Sequence, residues 1–251
     1  MVERIVPGTD PWDWMFPSHI ARYQFALAWT RNKVVMDAAC GSGYGSHLLA
    51  RSAARVIALD SSSEALELAR AHFSAPNVSH HCADLTRPLT EFYNTCDVVV
   101  SFETLEHLER PEAFIKETSR VLRPQGLLLL SVPAEAGAAD NPFHKHIFTP
   151  DSLRQLLCVH FPQLKFYCQV RDFPLWLSLV RRGLHRWQQS PSYTAVSAPL
   201  TRRWKDPRHS SWYRLRRGLK QILIEQPHHW QFQPGLTARA QCWVCLCRRS
   251  A

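Results

Sequence analysis

The chain has 251 residues, of which 45% are hydrophobic and 20% charged, proportions that suit one globular domain with a sizeable core and exclude a mostly disordered chain. Its formal net charge of +9 is unevenly placed: residues 1–170 carry 15 basic and 18 acidic side chains, while residues 171–220 carry 12 basic ones against only Asp172 and Asp206. Basicity is a property of one segment, so any argument about a charged partner concerns that segment alone.

Reading from the N-terminus, Met1-Val2-Glu3-Arg4 leads into an acidic, proline-containing stretch without an apolar signal core, and no run of about 18 apolar residues follows anywhere. We therefore expect a cytoplasmic protein, at most peripheral to the inner face of a membrane. Lys33 to Ala39 reads as a buried strand ending in a turn, Tyr44 to Ala53 as a helix, and Arg55 to Asp60 as a second strand. Ser61-Ser62-Ser63-Glu64 supplies an N-cap and an acidic first turn for a helix through Phe73. Val78 to Cys82, Cys96 to Ser101 and Leu127 to Val132 read as further strands, with a helix over Arg110 to Val121 broken at Arg123-Pro124-Gln125-Gly126. Thr149 and Pro150 start a helix to about His160, and Leu164 to Val170 is strand-like. Residues 171–239 read as a basic, aromatic, mostly helical insertion, after which 240–247 forms a last strand. Strands alternating with helices in this rhythm predict a parallel sheet covered on both faces.

Eight cysteines would allow four disulfides, but Cys40, Cys82, Cys96, Cys158 and Cys168 lie singly and read as free thiols. Cys242, Cys245 and Cys247 have a metal-like spacing. They lack a fourth ligand and sit in a strand-like run, so strand core is the preferred reading and no metal is assigned. In a strand, Cys245 and Cys247 share one face and Cys242 points to the other.

Asp37-Ala38-Ala39-Cys40-Gly41-Ser42-Gly43-Tyr44-Gly45 joins the first strand to the first helix. Glycines there let the backbone turn sharply and approach a ligand beyond the carboxyl ends of the strands. A dinucleotide fingerprint would need glycine where Ser46 stands, so the pyrophosphate version fits poorly. With Asp60 closing the second strand, Ala83-Asp84 after the third and Ser101-Phe102-Glu103 after the fourth, the chain resembles the class I S-adenosylmethionine-dependent methyltransferases. Leu122-Arg123-Pro124-Gln125-Gly126 is similar to that family's turn, with Gln125 in place of a glycine. The resemblance implies a Rossmann-like α/β fold with a mostly parallel seven-stranded sheet, helices on both faces and the basic insertion before the last strand. It gives one domain over 1–251, comprising a cofactor core (1–170), an insertion or lid (171–239) and a closing strand (240–247).

The cofactor implied is S-adenosyl-L-methionine. The residues implied around it are Asp37, Ala39, Gly41 and Gly43 in the loop, Asp60 and Ser61 at the ribose, Ala83 and Asp84 at the adenine, and Ser101, Phe102 and Glu103 near the methionine part. Arg22 and Tyr23 either hold the cofactor carboxylate or pack an N-terminal helix over the site. Glu3 to Gly8, His19 to Tyr23, Phe102 to His107 and Asn141 to His146 are similar to a bacterial subgroup associated with surface-glycan synthesis, which commonly has an acidic residue where this chain has Ile147.

A sulfonium methyl is already electrophilic, so the enzyme has mainly to align a nucleophile, and a hydroxyl acceptor must also lose its proton. Histidine is matched to that task near neutral pH. His107 after the fourth strand, with His144 and His146 after the fifth, are the candidates for catalysis. His107 could instead start a helix by bonding backbone. His144 and His146, two apart in an extended loop, would share one face, with a metal pair near Asp140 as a further option. Five of the nine tryptophans lie between Arg171 and Trp230, interleaved with basic residues. This segment could grip an anionic or glycan acceptor, rest on an anionic bilayer carrying a lipid-linked acceptor, stack on RNA, or form a solvated lid. The expected function is methyl transfer to an oxygen of a small-molecule or glycan acceptor. An RNA methyltransferase and a non-catalytic cofactor-binding scaffold at the membrane surface are the alternatives.

Overall fold

Runs of Val, Ile and Leu without polar alternation form strands when both of their faces are covered, and this is how the central strands are arranged here. A computed structural model describes residues 16–134, 141–171, 230–235 and 240–250. In chain order the elements are α1 (Phe16–Thr30), β1 (Val34–Ala38), α2 (Tyr44–Ala50), β2 (Arg55–Asp60), α3 (Ser63–His72), β3 (Val78–Cys82), β4 (Cys96–Phe102), α4 (Pro111–Val121), β5 (Leu122–Pro133), α5 (Pro150–Cys158), β6 (Gln163–Arg171), β7 (Trp230–Pro234) and β8 (Cys242–Arg248). All of them belong to one compact unit.

The strands form one sheet in the order β3-β2-β1-β4-β5-β8-β6-β7. β1 pairs in parallel with β2 and β4, as do β2 with β3 and β4 with β5. The pairings β5–β8, β8–β6 and β6–β7 are antiparallel. Alternate residues of each strand enter opposite cores. Val35, Val56, Val98, Val100, Leu129 and Leu246 pack with Tyr23 and Ala26 of α1 and Leu49 of α2. Met36, Ile57, Val99, Leu128 and Leu130 pack with Phe114 and Ile115 of α4 and with Leu153 and Leu157 of α5. Burying such a side chain contributes about 1.5–3 kcal/mol, so the two layers hold the sheet and leave its carboxyl edge to carry loops.

The helix starts follow local chemistry. The Ser62 hydroxyl accepts from the Ala65 N–H at the start of α3, and Thr149 and Ser152 form a reciprocal capping box on α5. Pro111 and Pro150 occupy first turns, where a missing N–H costs nothing.

Two expectations are corrected. The sheet has eight strands among the described residues, where seven were expected. The added strand, β7, lies inside the stretch expected to be helical, and pairs with β6 from Arg171↔Trp230 to Tyr167↔Pro234. Its Phe232 ring stacks on Phe25 of α1 at 4.2 Å. Second, β5 starts at Leu122, which pairs with Cys96 before the register shifts at Val98. The helix ends at Val121 as expected, but Arg123–Gly126, with Gln125 at φ +64°, lies within the strand rather than before its expected start at Leu127. Among the described residues no helix is long and apolar enough to cross a membrane. The expectations for residues 172–229, for Glu3 to Gly8 and for Asp140 lie outside the described residues.

Candidate active site

The turn after β1 stands at the carboxyl ends of β1 and β2. The Cys40 N–H donates to the Leu59 carbonyl of β2, the Gly43 N–H to Cys40, and the His47 N–H to Gly43, which carries the turn directly into α2. Ala39 and Gly41 take positive φ, +66° and +56°, as does Gly43 at the N-cap of α2. A Cβ on Gly41 would meet no heavy atom within 4 Å, so this glycine faces open space. A Cβ on Gly45 would stand 2.0 Å from Tyr23 Cζ, so the second role of the glycines is to let α2 lie flat on the Tyr23 ring.

Asp37 is completely buried beneath this turn. Tyr23 Oη donates to its Oδ1 at 3.1 Å and Ser46 Oγ to its Oδ2 at 2.6 Å. Burial pushes the Asp37 carboxyl up to about 6; the two hydrogen bonds oppose the shift and the charge of Asp60 adds to it. Asp37 and Tyr23 therefore brace α1, β1 and α2 together. Asp60 is only partly buried, and its two oxygens accept the N–H groups of Gly41 at 2.8 Å and Ser62 at 2.9 Å. Each oxygen keeps a second lone-pair direction for a ligand hydroxyl. Ser61 beside it is exposed. Ala83 is tied to the same corner by its N–H to the Asp60 carbonyl. Asp84 is exposed and caps its own turn, accepting from Thr86 N and Oγ1, bonds that hold its carboxyl below the usual range.

At the end of β4, Ser101 and Phe102 are buried, and the Ser101 hydroxyl has no hydrogen-bond partner among the described residues. Glu103 takes φ +52° and turns its carboxylate toward β5 and β8. Its Oε1 accepts from Ser131 Oγ at 2.7 Å and from the Cys242 thiol at 3.3 Å. Arg22, 3% exposed, approaches from α1, where its Nη1 donates to Gln169 Oε1 of β6 at 2.6 Å and its buried Nε has no hydrogen-bond partner among the described residues. Burial opposes the charge on Arg22, but Glu103, Cys242, Tyr44 and Glu106 outweigh it and raise its pKa. Just beyond, Leu105–His107 forms a tight turn in which Glu106 is 1% exposed. The Lys145 and His146 N–H groups both donate to the Glu106 carbonyl, so the 141–146 loop is fastened over this turn. His107 Nδ1 lies 3.1 Å from the Phe143 carbonyl, and the His107 and His144 rings meet edge to face at 5.0 Å.

The methyltransferase domain family matches residues 36–130. A probable S-adenosylmethionine-dependent methyltransferase of Mycolicibacterium smegmatis is 34% identical over 162 residues, covering 62% of each chain. Over this stretch the chain is similar to S-adenosylmethionine-dependent methyltransferases. It spans about three fifths of the length of that mycobacterial relative. A ubiquinone biosynthesis O-methyltransferase of Xanthomonas oryzae is 35% identical over 107 residues, 42% of this chain and 45% of that protein. The fold is shared with a solved methyltransferase of Thermotoga maritima at TM-score 0.60 and 14% identity, over 94% of this chain and 92% of that one.

In the structure the expected residues fall into three groups. Gly41, Asp60, Ser61 and Ala83 share the corner between β1, β2 and β3. Asp84 follows Ala83 but spends its carboxylate on Thr86. Ser101, Phe102, Glu103 and Arg22 lie together at the end of β4. His107 and His144 come together, but His146 does not join them: its ring packs against Phe148, with centroids 5.9 Å apart. The shared face expected for His144 and His146 fails because His144 sits in a turn, its N–H bonded to the Asn141 carbonyl. Gln169, Ser131, Cys242 and Glu106 were given no site role in the sequence. The opposite facing of Cys242 was legible from strand alternation: Cys245 and Cys247 enter the α4 and α5 core, whereas Cys242 turns to Glu103.

Proposed function

We propose that this chain binds S-adenosyl-L-methionine across the carboxyl ends of β1, β2 and β4 and transfers its methyl group to an oxygen of a small-molecule or glycan acceptor. One observation carries the reading: the Asp60 carboxylate is held by the Gly41 and Ser62 N–H groups beside a glycine that faces open space. The residues present fit the cofactor's chemistry. Two ribose hydroxyls donating to Asp60 form charge-assisted bonds, and the buried Arg22 Nε–H is a donor suited to a carboxylate. When bound, the cofactor supplies a methyl group on a positively charged sulfur, which needs no further activation. The chain's part is to hold the acceptor in line and to make its oxygen nucleophilic, and the Glu106–His107–His144 cluster after β4 is the group suited to the second task.

Oxygen as the accepting atom draws support from the relative named as a ubiquinone biosynthesis O-methyltransferase. The basic, tryptophan-rich segment from 171 to 239 is where the sequence concentrates groups for an anionic or lipid-linked acceptor, or for peripheral contact with an anionic membrane. Calorimetry with S-adenosylmethionine tests the core of the reading. The wild type should bind and Asp60→Ala should lose at least tenfold in affinity; a wild type that does not bind, or a variant that binds equally well, refutes it. Flotation with anionic liposomes tests the membrane contact, and no flotation removes it.

A further inference from the structure

We propose that Glu106, His107 and His144 form a site for one divalent transition-metal cation. One ligand atom from each residue lies within 4.8 Å of the others. Atoms sharing an ion at about 2.1 Å stand about 3.4 Å apart, so closure needs a shift of about an ångström in these side chains. Two imidazoles and one carboxylate suit zinc, iron(II), cobalt or manganese better than calcium or magnesium.

Burial and orientation favour the same conclusion. Glu106 is 1% exposed, and a carboxylate withdrawn from water is stabilised by nearby positive charge, part of which Arg22 supplies. His107 Nε2 is 3.9 Å from Glu106 Oε1. The opposite ring nitrogen, Nδ1, lies 3.1 Å from the Phe143 carbonyl, which can only accept, so Nδ1 carries the proton and Nε2 keeps its lone pair on the Glu106 side. A metal-ligating histidine is generally oriented by such a bond from its other nitrogen. Asn141 Nδ2 lies 3.0 Å from His144 Nε2 and can only donate to it, so a cation bound at His144 has to displace this bond or turn the amide over. The two halves of the cluster are clamped by the Lys145 and His146 N–H bonds to the Glu106 carbonyl and by the Lys145–Glu109 ion pair at 2.5 Å.

Three protein ligands leave coordination positions for an acceptor oxygen. A hydroxyl bound to the cation ionises near neutral pH: its O–H bond breaks and the proton passes to solvent. The oxygen then bonds the methyl carbon as the carbon–sulfur bond breaks, the sulfur leaves as a neutral thioether, and the cation is unchanged. In this state the two imidazoles act as ligands, and the cation takes over the work of a base. The inference deepens the methyl-transfer reading and rests on it for the role of the cation, though not for its binding.

The test uses the full chain stripped of metal with a chelator and titrated with Co2+ alone, followed by visible absorption and calorimetry. One equivalent should bind with the spectrum of nitrogen and oxygen ligation. Glu106→Gln, His107→Ala and His144→Ala should each weaken binding at least tenfold, while His160→Gln, remote from the cluster, should not. Circular dichroism confirms that each variant is folded; should one fail, the remaining two and the spectrum decide. No binding by the wild type, a thiolate-to-cobalt charge-transfer band, or binding that survives the three substitutions overturns the site. S-adenosylmethionine binding to the same metal-free protein separates the two ideas: cofactor binding without cobalt binding overturns the metal site alone. Cobalt binding without cofactor binding overturns the methyl-transfer reading and leaves the metal site standing.

Discussion

Asp37→Asn should flatten the pH dependence of stability. The Asp37 carboxyl, buried among Tyr23, Ser46 and the strand backbone, has its pKa raised from 3.8 to about 6, so the folded chain holds that proton more tightly than the unfolded chain. This linkage stabilises the fold fully below the unfolded value and is lost as the pH rises through about 6. A gap of roughly two units corresponds to about 3 kcal/mol across the whole window, of which about 1.4 kcal/mol falls between pH 5 and pH 7.5. Asparagine retains one acceptor for Tyr23, and the Ser46 hydroxyl can rotate to accept from the new amide, so the brace survives without its titration. Urea unfolding followed by tryptophan fluorescence, at half-unit steps over that range, gives both curves. The wild type should lose about 1.4 kcal/mol relative to the variant between the two ends. Parallel curves would mean that Asp37 titrates as an ordinary aspartate, and a wild type that gains on the variant with rising pH would mean that burial is overcome by its hydrogen bonds.

Two further outcomes follow from packing. Gly45→Ala drives a methyl group to within 2.0 Å of the Tyr23 ring, so it should cost about 1–3 kcal/mol in urea unfolding and weaken cofactor binding by disturbing the loop; unchanged stability would show that α2 does not lie on Tyr23. The eight cysteines are free, with Cys82 and Cys158 exposed and the other six buried. Ellman's reagent should therefore titrate about two thiols rapidly in the native chain and the rest only in denaturant, and more than three rapid equivalents would contradict the buried strand β8.

The features readable in the sequence are those that one short window contains. The loop from Asp37 to Gly45, the strand-end Asp60 and the caps at Ser62 and Thr149 each depend on neighbours a few residues away, and each is found at its expected place in the fold. Strand β7 escaped notice because its five residues alternate Trp230, Phe232 and Pro234 with Gln231 and Gln233, a period of two short enough to vanish among basic and aromatic neighbours. The floor of the site escaped for another reason. Arg22 meets Gln169 across 147 positions and Glu103 meets Cys242 across 139, contacts created only when β8 runs antiparallel between β5 and β6.

The histidines show how a local rule fails when its premise does. Residues i and i+2 share a face only in extended chain. Asn141-Pro142 is a turn-starting pair, and in the structure the Asn141 side chain accepts the Phe143 N–H while its carbonyl accepts that of His144. The chain is therefore bent where alternation was applied, and His146 is carried to Phe148. What brings His144 to His107 is the clamp of the 141–146 loop on the Glu106 carbonyl, a backbone contact on which residue identity leaves no mark. The same clamp seats two imidazoles beside a carboxylate that is 1% exposed, so the arrangement that defeats the spacing rule is also the one that gives the cluster its chemistry.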